Sequence, residues 1–186
     1  MRKVTLIIFI LVFSHKIFAQ LVTSKDTSLT KASIVRSLEI KGAIKTVEGR
    51  AIADSVLRLL SIGGKYNVGI SLVSRSKVKG KTPADAIVHD SITEVYQIIE
   101  GKGILVTGGF LNSPKRIPSD DPVVRYIIGP SSESKTITGG TQFDVKAGDI
   151  IIIPPHTPHG FIDIKTKKIV YTLVRIDTEK VLELKK

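Results

Sequence analysis

Short apolar segments of period two, cut at close intervals by glycine and proline, constrain this chain more than any other feature. Ser55 to Ile62 leads to Gly63-Gly64, and then Tyr66, Val68, Ile70 and Leu72 alternate with small or polar residues. Alternation of this kind places one row of side chains on each face of a strand, and paired glycines suit the tight turns that join strands. The pattern repeats. A basic turn covers 77–83, a β-rich run spans Ile87 to Ile99, and Ile104 to Thr107 ends at Gly108-Gly109. Residues 111–122 hold three prolines and read as a loop, as does Ser131 to Ser134. Further strands are expected at Val123–Ile128, Gln142–Val145, Ile150–Ile153 and Lys168–Ile176. Many short strands with Gly and Pro turns predict an all-β sandwich or barrel. With 186 residues and 42% apolar content, the chain can bury one such core.

The region before residue 55 reads differently. Arg2 and Lys3 precede an apolar run from Val4 to Phe13, and Ala19 stands before Gln20. This is the layout of a secretory signal peptide, expected to be cut after residue 19. As a helix the run extends about 15 Å, half of a bilayer core about 30 Å thick, which argues against an anchor. The expected destination is periplasmic or extracellular, with no membrane attachment after cleavage. The absence of cysteine is compatible with export, since an oxidising compartment permits disulfides without requiring them. Residues 20–54 are expected to form a leader followed by a short helix, with Ile34, Leu38, Ala43 and Val47 on one face. The barrel domain is expected over 55–186.

The formal net charge is +11. Basic residues are scattered, and tight groups such as 165–168 and 185–186 are short. A solvated basic surface accounts for this better than a nucleic-acid footprint, so no nucleic-acid partner is expected. Gly108-Gly109 and Gly139-Gly140 open no helix, so neither reads as a phosphate loop.

Beyond residue 19 the only histidines are His89, His156 and His159, all at or beside expected strand ends, and His156 and His159 have proline or glycine neighbours. They fall in two segments. One runs from His89 through Glu94 to Gly101, and the other from Gly148 through Pro154, His156 and His159 to Asp163. The two segments resemble the two sequence motifs of the cupin family. His89 falls on the second histidine of the first motif, Glu94 on its glutamate and Gly101 on its closing glycine. Gly148 and Pro154 match the start of the second motif, and His159 falls on its histidine. The chain departs from the pattern at four places. Ile87 stands where the first histidine is expected, Gly80 lies one place from the expected glycine, His156 replaces a glycine and Asp163 an asparagine.

The resemblance covers residues 55–176 and implies a jelly-roll barrel, a double-stranded β-helix. It also implies one divalent metal ion (Fe, Mn, Zn or Ni) held by His89, Glu94 and His159, and it suggests a homodimer. Two imidazoles and a carboxylate with vacant positions would make a facial triad. His89 and Glu94 are five apart, so one regular strand cannot aim both inward; a turn near Asp90-Ser91, or two strands, must reset the phase. Tyr96, His156 and Ile87 are expected to line the pocket. The partner implied is a small organic molecule, either a substrate of oxygenase, isomerase or lyase chemistry or a ligand of a non-catalytic binding module. The residues do not choose among these reactions, and no catalytic residue is assigned.

Overall fold

A computed structural model describes residues 23–24, 31–47, 49–77 and 85–184. The expected signal peptide, and with it Gly80, lies outside these residues. Among the described residues the fold is mostly β, with one α-helix, α1 (Ser37–Val47), and fourteen strands. In chain order the strands are β1 (Thr23–Ser24), β2 (Ile52–Ile62), β3 (Tyr66–Ser76), β4 (Ala86–His89), β5 (Ile92–Glu100), β6 (Lys102–Thr107) and β7 (Phe110–Leu111). They continue as β8 (Lys115–Arg116), β9 (Ser131–Ser134), β10 (Ile137–Thr138), β11 (Thr141–Lys146), β12 (Ile150–Ile153), β13 (His159–Ile164) and β14 (Lys168–Asp177).

Two six-stranded sheets face each other. One has the order β1-β2-β3-β14-β5-β12 and the other β11-β6-β13-β4-β9-β8, while β7 and β10 form a small ribbon. Apart from the parallel β1–β2 pair, the ladders are antiparallel. The inward faces supply the core: Val73, Tyr96, Ile98, Leu105, Phe161, Ile169, Tyr171 and Leu173 are all buried together. Tyr96 stacks on Tyr171 with ring centroids 4.4 Å apart.

Several expectations need correction. Val123–Ile128 contains no strand; Val124–Ile128 is a π-helix, closed by the Gly129 N–H donating to the Val124 carbonyl. Ser131–Ser134 is strand β9 and not a loop, because its backbone pairs with β4 and β8 although its side chains are polar. The first long strand begins at Ile52, three residues early. The helix exists, but its buried stripe is Ile40, Ala43 and Ile44, packed on Leu57, Leu72 and Val170 of the barrel's outer face. Ile34 and Leu38 are exposed. Thr23 and Ser24, expected within the leader, pair with Leu59 and Leu60 of β2.

The glycine at 101 is dictated by the β5–β6 turn. Its φ is +88°, and a Cβ there would lie 2.3 Å from the Lys168 carbonyl oxygen.

Candidate functional site

The chain passes from one sheet to the other between His89 and Glu94. β4 ends at His89 in the second sheet, and β5 begins at Ile92 in the first. The Asp90 N–H donates to the Pro130 carbonyl, and the Asp90 carboxylate accepts two bonds from Arg116. This break resets the strand phase, so the two side chains meet across the interior. His159 opens β13, beside Ile87 of β4 and Thr107 of β6. Gly160 follows because the strands run close there: a Cβ would lie 2.9 Å from the Asp85 carbonyl oxygen.

The three expected ligands converge. His89 Nε2 lies 3.4 Å from Glu94 Oε1, and His159 Nε2 lies 3.2 Å from Glu94 Oε2. One ligand atom from each residue falls within 4.8 Å of the others. All three residues are buried, with exposures of 3%, 1% and 2% for His89, Glu94 and His159.

Hydrogen-bond partners fix the tautomers. His159 Nδ1 lies 2.9 Å from the Thr157 carbonyl, which can only accept, so Nδ1 carries the proton. His89 Nδ1 lies 2.8 Å from Ser131 Oγ. That hydroxyl donates its single proton to the Gly129 carbonyl at 2.9 Å, so it accepts from His89 Nδ1. In the neutral rings both Nε2 atoms therefore present lone pairs to a carboxylate. The Nε2 of His159 is buried without a hydrogen-bond partner among the described residues. Burial lowers the His89 pKa, which favours its neutral form. Burial opposes ionisation of Glu94 too, but the positive charges that face it, His89 when protonated and Arg175, hold its carboxyl well below the usual range.

Three electron-pair donors with no proton between them fit a cation. The donor set, two imidazoles and one carboxylate, is the kind that binds first-row divalent metals. His89, Glu94 and His159 could hold such an ion.

Two further residues complete the cluster. The Tyr96 hydroxyl donates to Glu94 Oε2 at 2.8 Å. Burial and the nearby Glu94 charge raise the Tyr96 pKa well above its ordinary value, so it stays a donor. Arg175 Nε donates to Glu94 Oε1 at 3.0 Å. Arg175 did not emerge from the motifs. Its signal was a charged residue in the inward phase of β14, two after Leu173 and four after Tyr171, both in the apolar core. Of the expected pocket residues, Tyr96 touches the cluster, and half-buried Ile87 lies beside His159. The structure does not bring the His156 side chain to the cluster. His156 is exposed, with a left-handed φ of +58°, and its backbone N–H donates to the His89 carbonyl.

Residues 137–186 match the family model of the AraC-like ligand binding domain. The matched stretch includes His159 and Arg175 but neither His89 nor Glu94. No curated protein matches the chain. Among solved structures, the chain is similar to an uncharacterized conserved protein with a double-stranded beta-helix domain from Klebsiella pneumoniae. That likeness has 13% identity and a TM-score of 0.49, covering 80% of this chain and 93% of that one. A Bacillus halodurans protein is similar at 13% identity and TM-score 0.47, covering 80% and 83%. A DMSP lyase from Ruegeria pomeroyi is similar at 12% identity and TM-score 0.41, covering 70% and 49%. The facing antiparallel sheets, the two motif segments that meet between them and the C-terminal match support a fold of the cupin type, a double-stranded β-helix.

Proposed function

We propose that His89, Glu94 and His159 bind one divalent metal ion, and that the protein is a metal-dependent cupin enzyme acting on a small organic molecule. The observation that carries this reading is the meeting of two proton-free Nε2 atoms and a carboxylate in a buried site. A bound divalent ion would supply Lewis acidity toward a carbonyl or a coordinated water. The chain's own groups hold the ligands. Thr157 and Ser131 orient the imidazoles, Tyr96 and Arg175 orient the carboxylate, and the surrounding strands exclude water. The proposed location is outside the cytoplasm, after removal of residues 1–19.

One observation favours a second reading, a non-catalytic small-ligand module. The stretch 137–186 is similar to an AraC-like ligand binding domain, a description that names binding and no reaction. Equilibrium dialysis against Zn, Mn, Fe(II) and Ni tests the shared claim. Binding should saturate near one ion per chain and be lost in His159→Ala. Turnover of a candidate substrate that stops on chelation separates the enzyme from the module; binding without turnover across a broad substrate panel supports the module.

A further inference from the structure

Glu94 stands in an awkward place. Its two oxygens face the proton-free Nε2 atoms of His89 and His159 at 3.4 and 3.2 Å. Negative oxygen and imidazole lone pairs repel each other, so a free glutamate would turn away from them before a cation arrived. It does not turn, and the reason lies on the neighbouring strand. In the β14–β5 ladder Arg175 is directly opposite Glu94, and both side chains point inward. Arg175 spends every edge of its guanidinium. Nε donates to Glu94 Oε1 at 3.0 Å, Nη2 to Asp54 Oδ2 at 2.6 Å, and Nη1 to Ser71 Oγ at 3.2 Å. It is itself only 4% exposed.

We infer that Arg175 is a positioning residue, which locks the Glu94 carboxylate toward His89 and His159 before metal binds. The inference rests on the metal-binding reading above. Asp54 and Ser71 fix the guanidinium plane from behind, so its Nε–H has one direction in which to donate. Tyr96 holds the other oxygen. Each oxygen keeps an electron pair free toward the histidines. Asp54 also neutralises the Arg175 charge, so the arginine orients the carboxylate without cancelling the net negative charge that attracts a cation. Lysine cannot replace it. An ammonium is a point donor on a flexible stem and does not reproduce a planar fork that bonds Asp54, Ser71 and Glu94 together.

The test compares the parent with Arg175→Lys and Asp54→Asn, using Zn and Co(II) alone as probes. Affinity is read by competition with a chelator, geometry by the visible absorption of the Co(II) form, and folding by thermal melting. Arg175→Lys keeps the charge and loses the fork. Its metal affinity should fall by about 10–100-fold, the usual effect of disturbing groups that orient metal ligands, and its Co(II) spectrum should change. Asp54→Asn should shift both readouts in the same direction by less, and it carries the test if Arg175→Lys does not fold. Variants that melt earlier yet bind metal with the parent's affinity and spectrum would show a structural role only and overturn the inference. A parent that binds neither ion overturns the metal reading itself, and the inference with it; that outcome is distinct because it appears before any substitution.

Discussion

The barrel interior has two neighbouring layers built on opposite principles. In one, Tyr171, Phe161, Leu105, Ile98 and Ile169 fill space with apolar surface, and the rings of Tyr171 and Phe161 lie 5.9 Å apart. In the other, His89, Glu94, His159, Arg175 and Asp54 fill space with charge and lone pairs. The apolar layer is self-sufficient, because each contact stabilises the folded chain whether or not anything is bound. The polar layer is incomplete. Buried polar groups normally find partners, and His159 Nε2 has no hydrogen-bond partner among the described residues. On the proposed reading, stability belongs chiefly to the first layer and metal binding to the second, and substitutions should separate the two.

The largest expected effect is in the apolar layer. Phe161→Ala should destabilise by about 3–5 kcal/mol through lost burial and the cavity left behind. In whatever fraction stays folded, metal affinity should remain near the parent's. Chemical denaturation with and without metal measures both; a loss of affinity as large as that in His159→Ala would mean that the layers are not separable.

In the polar layer, metal at about a hundred times its dissociation constant should stabilise the parent by about 2.7 kcal/mol. His159→Ala should lose this gain entirely, as seen in thermal melts with and without Zn. An undiminished metal shift in that variant would place the ion elsewhere.

Acid sharpens the same contrast. In the metal-free protein the folded pKa values of His89 and Glu94 are both lowered. The unfolded chain then binds more protons, so stability rises with pH. As pH falls, stability should begin to drop near the ordinary histidine value of about 6.5 and drop further through the carboxylate range. Melting temperatures of the metal-free protein from neutral to acid pH check this. A rise on acidification below neutrality would mean that the imidazoles are protonated and donate to Glu94, the reverse of the tautomers assigned above.

Tyr96 belongs to both layers, since its ring stacks on Tyr171 while its hydroxyl serves Glu94. Tyr96→Phe keeps the ring and should cost about 1.5–3 kcal/mol, as for a hydrogen bond to a charged group. It should also weaken metal binding by less than Arg175→Lys does. Unchanged stability in a denaturant titration would assign Tyr96 to the apolar layer alone. The smallest change is expected from Ile87→His. Residue 87 lies beside His159 and shares the inward face of β4 with His89, so an imidazole there should tighten metal binding. A variant that is merely less stable, with no gain in chelator competition, would show that position 87 cannot reach the ion.

The two layers were not equally legible in the sequence. His89, Glu94 and His159 emerged because histidine is scarce and its spacing to Glu94, Gly101, Gly148 and Pro154 follows a known motif. The needed phase reset at Asp90-Ser91 was also readable, because strand geometry demands it. Arg175 was not, since its importance depends on a register that sets β14 against β5 across 81 positions of chain. The strand expected at Val123–Ile128 failed for another reason. A segment rich in β-branched residues reads alike as strand or buried helix, and the helix-start signal before it went unread: Pro122 opens the helix and the Asp121 carboxylate accepts from the Val123 N–H. Ser131–Ser134 failed in reverse, because polar side chains concealed a backbone committed to two ladders.

The central claim, that the polar layer is a metal site, is tested most directly by elemental analysis of the folded protein purified without chelators. The account predicts about one first-row divalent ion per chain, removed by a chelator and restored on adding the ion back, as expected when metal binding is coupled to the folded state. Protein that carries no metal, takes up none from Zn, Mn, Fe(II) or Ni, and melts at the same temperature with and without them would contradict it.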